Sequence, residues 1–180
     1  MITKKIYPLA GHSNTDPGAI ANGYREADLT KELRNIIVNE LKKRNYLKFQ
    51  IDDDKDGLST VLKKINPGKK DILLDIHFNS ASPTATGTEV FLSNYAGDTS
   101  KNFAKELVDG TSKIIGITNR GVKPETLSAR KRLAVLNKNG AAALIEVCFI
   151  TNANDMAKYQ ANKIKLAAFI AELLIKYDTL

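Results

Sequence analysis

Along this chain the apolar residues change period again and again, and that alternation restricts the fold more than any other feature. Residues 5–9 (KIYPL) read as a strand, and residues 27–44 carry Leu29, Leu33, Ile36, Ile37 and Leu41 on one helical stripe. A short strand at 46–51 precedes the acidic run DDDKDG, and LSTVLKKI then reads as a helix closed by Asn66, Pro67 and Gly68. ILLDIHF is a buried strand, NSASPTATG a loop, and TEVFL a further strand. Phe103, Leu107 and Ile114 mark a helix over about 99–115 that Gly116 stops. The stretch 117–140 is irregular with a short strand at LAVL, AAALIEVCFI is the last strand, and 159–177 is an amphipathic closing helix. Strands alternating with helices make an α/β domain.

At 180 residues, with 43% apolar and 26% charged side chains, the chain has the material for one domain with a substantial core. The expectation is a single domain over residues 1–180, with no repeat, no linker and no appended binding module. No apolar run is long enough to span a bilayer, so no membrane insertion is expected. MITKKIYPLAGH is too short in apolar residues for a leader core, so synthesis in the cytoplasm is expected. Cys148, the single cysteine, lies in LIEVCFI and reads as an inert core thiol. The excess of 27 basic over 20 acidic residues gives +7, which favours anionic partners. The basic residues are scattered, including KKR at 42 and RKR at 130, with no Trp, so a solvated basic face is preferred over nucleic-acid binding.

Only two histidines occur, and they occupy matching places: His12 follows the first strand and His77 closes ILLDI. In open α/β sheets ligands bind at the carboxyl ends of strands, so both imidazoles can face one crevice. Glu146 interrupts the apolar run AAALIEV, where a carboxylate is costly unless it is paired, solvated or working with a metal. Glu26 stands where a helix dipole alone would favour an acid, yet with Leu29 and Leu33 it follows i, i+3, i+7 and falls on the buried stripe. Asp28 points elsewhere, to solvent. Two imidazoles and one carboxylate form a three-ligand zinc set; the same set also holds iron in oxygen chemistry, and lone histidines are often structural.

The stretches GHSNTDPGA, YREADLT, DIHFNSA, NRGVKP with LAVL, and ALIEVCFITNANDM occur in that order from Gly11 to about Tyr159. Together they resemble the zinc-dependent N-acetylmuramoyl-L-alanine amidases of the type-3 family, enzymes that cut peptidoglycan. The resemblance implies one Zn2+ per chain held by His12, Glu26 and His77, with Glu146 as the catalytic acid/base. It also implies a mixed, mostly parallel sheet of about six strands flanked by helices. Asp16 in the DPG turn and Asn79 after the second histidine would support the site, and Arg120 would meet the peptide stem or glycan.

The chain departs from the family pattern at LSTVLKKINPGKK and at Phe78 and Ser80, none of which is a ligand position. The 68 residues between His77 and Glu146 are filled by core elements, which argues against an inserted autoinhibitory helix. The implied reaction is hydrolysis of the amide between N-acetylmuramic acid and L-alanine in peptidoglycan, by a monomer acting on the cell wall. A phage endolysin released through a separate pore suits a lone catalytic domain, and export of a bacterial enzyme by another route is the alternative. The rival readings are a zinc peptidase or carboxypeptidase acting on stem peptides, and a silent wall-binding module.

Overall fold

The computed structural model describes residues 5–179; the opening residues 1–4, on which the leader reading rests, and Leu180 lie outside it. Strand β1 (Ile6–Ala10) leads through a two-strand ribbon, β2 (Ile20–Ala21) with β3 (Tyr24–Arg25), into helix α1 (Glu26–Lys43). Helix α2 (Leu58–Lys64), strands β4 (Ile72–Asn79) and β5 (Thr88–Leu92), helix α3 (Asp98–Ile115) and strand β6 (Asn119–Pro124) follow. Two short 3-10 turns, Glu125–Leu127 and Ala134–Asn137, come before β7 (Ala141–Phe149) and the long helix α4 (Ala153–Thr179). The main sheet has five strands in the order β1-β4-β7-β5-β6, so the mostly parallel α/β architecture is as expected. β1, β4 and β7 run parallel, while β5 lies antiparallel to β7 and parallel to β6.

Local differences from the sequence reading have physical causes. The stretch 46–51 contributes only the bridge Ile6↔Phe49, because Asn45, at φ 56, turns the chain out of α1 and leaves Leu47 and Ile51 exposed. NRGVKP, which lacks apolar alternation, pairs along the outer edge of β5, where only one side of the strand needs a partner. LAVL is a 3-10 turn and no strand: it buries Val135 and Leu136 against the sheet without joining its ladder. Gly116 ends α3 in the left-handed region at φ 75, as its position after the last apolar residue suggested.

Side-chain alternation gives the sheet two unlike faces. One packs Ile6, Ile72, Leu74, Ile76, Ala143 and Ile145 against α1, α3 and α4 in the larger core. The other packs Tyr7, Leu9, Leu73, Phe91, Ala142 and Leu144 against Val61, Ile65 and Val135. That second face changes character along the strands, because the next residues of matching parity are Asp75 and His77 on β4, Glu146 on β7 and Glu89 on β5. The thin cover from α2 and the second 3-10 turn leaves this polar end open.

Candidate metal centre and active site

The carboxyl ends of β1 and β4 and the first turn of α1 bring His12, Glu26 and His77 together, with one donor atom from each lying within 4.8 Å of the others. Glu26 is the hub. Its Oε2 lies 3.0 Å from His12 Nε2 and its Oε1 lies 3.0 Å from His77 Nδ1. The same oxygens accept backbone N–H groups from Ala19 at 2.9 Å and Phe78 at 3.1 Å, so this carboxylate is fixed although only 5% exposed. Asp28 is exposed and pairs with Arg25, so the two acids of this first turn divide as their spacing indicated.

Each imidazole turns its other nitrogen to another acid: His12 Nδ1 lies 3.0 Å from Asp16 Oδ2, and His77 Nε2 lies 3.3 Å from buried Asp75 Oδ2. Carboxylates on the far nitrogens of metal-ligating histidines fix ring orientation and raise basicity. Asp16 therefore contacts His12, and Asp75 is an acid beside His77 that the sequence reading passed over. Its signal was an acid two residues before His77 on the same face of a buried strand.

Close backbone approach makes the arrangement possible. A Cβ at Gly11 would lie 2.5 Å from His77 Nε2 and 2.6 Å from the Ile76 carbonyl oxygen. At Gly18, φ +63, a Cβ would lie 2.6 Å from Glu26 Oε2 and 2.7 Å from His12 Cδ2. The glycine of the DPG turn thus does more than turn the chain: it leaves room for two site residues. His12 itself sits at φ 70, a left-handed conformation disfavoured for a residue with a Cβ and of the kind that tertiary structure sustains at functional sites.

Electrostatics agree with the geometry. Burial disfavours charge on Glu26, but hydrogen bonds from His12 and His77 outweigh it and hold the carboxyl far below its usual range. Burial likewise pushes both imidazoles down, and their carboxylate partners reverse the sign and raise them. The cluster thus collects positive charge to balance its acids. A divalent cation supplies the same charge, and the imidazole and carboxylate donors are those zinc takes.

Glu146 stands directly beside His77 in the β4–β7 register. Its Oε2 is buried with no hydrogen-bond partner among the described residues, and burial together with the charges of Glu26, Glu89 and Asp75 pushes its carboxyl up to about 8 against the opposing pull of His77. Glu89 faces it across the β5–β7 pair. This carboxylate accepts from Asn79 Nδ2 at 2.9 Å, from Arg120 Nε at 2.6 Å and from Lys123 Nζ at 2.5 Å. Asn79 and Arg120 therefore gather at the edge of the site on a residue not singled out in the sequence, and Arg120 also lies 5.0 Å above the Phe149 ring. TEVFL carried the same signal as ALIEV, an acid within an apolar strand. His12, Glu26, His77 and Glu146 line one cavity of about 350 Å3.

A model of the N-acetylmuramoyl-L-alanine amidase family matches residues 8–176. The chain belongs to this family. Its relatives include N-acetylmuramoyl-L-alanine amidase CwlM of Bacillus licheniformis, 28% identical over 94% of this chain and 64% of CwlM. The endolysin of Bacillus phage SPP1 is 29% identical over 87% of this chain and 58% of the endolysin. This amidase-family chain thus spans about six tenths of those relatives. Its fold is that of the catalytic domain of CwlV, an N-acetylmuramoyl-L-alanine amidase from Bacillus (Paenibacillus) polymyxa var. colistinus, with TM-score 0.77, 24% identity and 97% of each chain covered. Among the described residues no helix is long and apolar enough to cross a membrane.

Proposed function

We propose that the protein hydrolyses the amide between N-acetylmuramic acid and L-alanine in peptidoglycan, with one zinc ion held by His12, Glu26 and His77. The observation that carries the proposal is the pairing of a three-donor cluster with an adjacent, unpartnered buried carboxylate, Glu146, in one open cavity. Zinc, when bound, supplies Lewis-acid polarisation and lets a water lose its proton near neutral pH.

The chain's own residues do the rest. Asp16 and Asp75 hold the imidazole rings with their metal-facing nitrogens toward Glu26. Glu146, whose carboxyl is pushed up to about 8 and so exchanges its proton near neutral pH, takes the proton of the attacking water in its ionised form and delivers it to the departing alanine nitrogen. Proton return matters because an unprotonated amine is a poor leaving group. Asn79, Arg120 and Lys123 keep Glu89 charged and bonded, so that the second acid does not compete for that proton.

Glu146→Gln should retain stoichiometric zinc by elemental analysis and lose about 100-fold or more in turnover. Wild-type turnover in that variant would reject the assigned role. Mass spectrometry of digested cell walls separates the reactions: intact stems beginning with L-alanine mark the amidase, and trimmed stems mark a peptidase. The endolysin reading draws support from the phage relative, and activity on whole cells only from outside, with no lysis from within unless a pore is supplied, is its expected behaviour.

A further inference from the structure

All six arginines lie among the described residues, and four are paired with carboxylates: Arg25 with Asp28, Arg34 with Asp52 and Asp54, Arg44 with Glu40 and Glu172, and Arg120 with Glu89. Among the described residues neither Arg130 nor Arg132 has an acid within 4.0 Å, although Asp16 feels the charge of Arg130, and both arginines line the same cavity as the metal cluster. Long, unpaired guanidiniums are common on surfaces, but here the loop that carries them is built.

Buried Glu125 holds both ends of that loop. Its Oε2 accepts the Leu133 N–H at 2.7 Å, and its carbonyl accepts from Ser128 N at 3.0 Å and Ser128 Oγ at 2.7 Å. Ser128 in turn accepts the Lys131 N–H at 3.0 Å, and Lys131 takes a left-handed φ of 57 between the two arginines. Lys131 does not line the cavity, whereas its neighbours on both sides do. The apolar part of the cavity lining includes Leu58 and Val61 of α2 with Leu133 and Val135. A ligand limb suited to this lining has small apolar groups and ends in a carboxylate, which a guanidinium fork matches.

Resting on the amidase reading, we infer that Arg130 and Arg132 form a carboxylate subsite that seats the free acid groups of the peptide stem beside the scissile amide. The ordered loop fixes the backbone from which both exposed side chains reach the cavity, and the guanidiniums become ordered when they pair with the carboxylates.

The test is calorimetric titration of the zinc-loaded protein with the stem tetrapeptide L-Ala–D-γ-Glu–L-Lys–D-Ala and with the same peptide fully amidated at its carboxyls. Wild type should bind the acid form about tenfold or more tightly than the amide, and Arg130→Gln/Arg132→Gln should remove that difference. Lys69→Gln/Lys70→Gln changes net charge equally at exposed positions outside the cavity and should keep the preference. Equal binding of both peptides by wild type, or an unchanged preference in the arginine variant, overturns the subsite. Equal loss of preference in the lysine variant also overturns it, because the effect is then one of overall charge. Release of intact stems from cell walls is measured separately: if it fails while the carboxylate preference holds, the amidase reading falls and the subsite stands.

Discussion

At the level of single residues, the site depends on groups that are absent as much as on groups that are present. Gly11 has no side chain because His77 occupies that space, with the Ile76 carbonyl behind it. Overpacking of this kind costs about 1–3 kcal/mol; the imidazole can give way, but the Ile76 carbonyl oxygen, 2.6 Å from the added Cβ, is backbone and places the cost toward the upper end. Gly11→Ala should therefore fold, with a loss of stability in that range, and weaken zinc binding at least tenfold in a chelator-competition titration. Unchanged affinity would show that His77 does not need its present seat. Cys148, by contrast, has no task at the site: it is fully buried, and desolvation raises its thiol well above the ordinary range, as its apolar neighbours implied.

Among the elements, β1 and the start of α1 are held in place by an interaction that the sequence disguised as a turn. DDDKDG does lead into α2, but Asp52 also accepts the Ala10 N–H at 3.0 Å and meets buried Arg34 at 2.8 Å, while Asp54 takes the other guanidinium nitrogen at 2.7 Å. Arg34, on α1, thereby ties the helix carrying Glu26 to the strand end carrying His12. Burial raises the Asp52 carboxyl despite that partner, so removing the arginine would leave a costly charge. Arg34→Met is expected to lose about 3–5 kcal/mol in urea unfolding, and adding Asp52→Asn should recover part of the loss, since the orphaned charge is gone while an acceptor for Ala10 remains. Additive losses in the double variant would count against this coupling.

For the molecule as a whole, acid stability should report the Glu89 cluster. Burial pushes this carboxyl up, but Lys123 and Arg120 outweigh burial and hold it below its ordinary value of 4.5. The unfolded chain then binds the proton more readily than the native one, so the stabilisation is present above about pH 4.5 and disappears as pH falls through the lower native value. Thermal midpoints measured from pH 6 down to pH 3 should drop, and Glu89→Gln should lessen that drop, leaving the part due to Glu26, while being less stable at pH 6. A variant with the wild-type pH profile would remove Glu89 from the acid response.

Period and turn chemistry determined the α/β class, most element positions and the inward face of Glu26, because these follow from spacing along one segment. The ordered motifs determined the family, and with it came the ligand set proposed above, which two lone histidines left open. Only the tertiary structure decided which acids serve which histidine, that Glu89 faces Glu146, that NRGVKP extends the sheet while LAVL does not, and that Asn79 and Arg120 meet on one carboxylate. Those outcomes depend on register between strands distant in sequence, and a register is set by the packing of both faces at once, which no single segment encodes. Arg130 and Arg132 show the same division: RKR was visible as charge, but only the loop closed by Glu125 turns two of those cations onto the cavity.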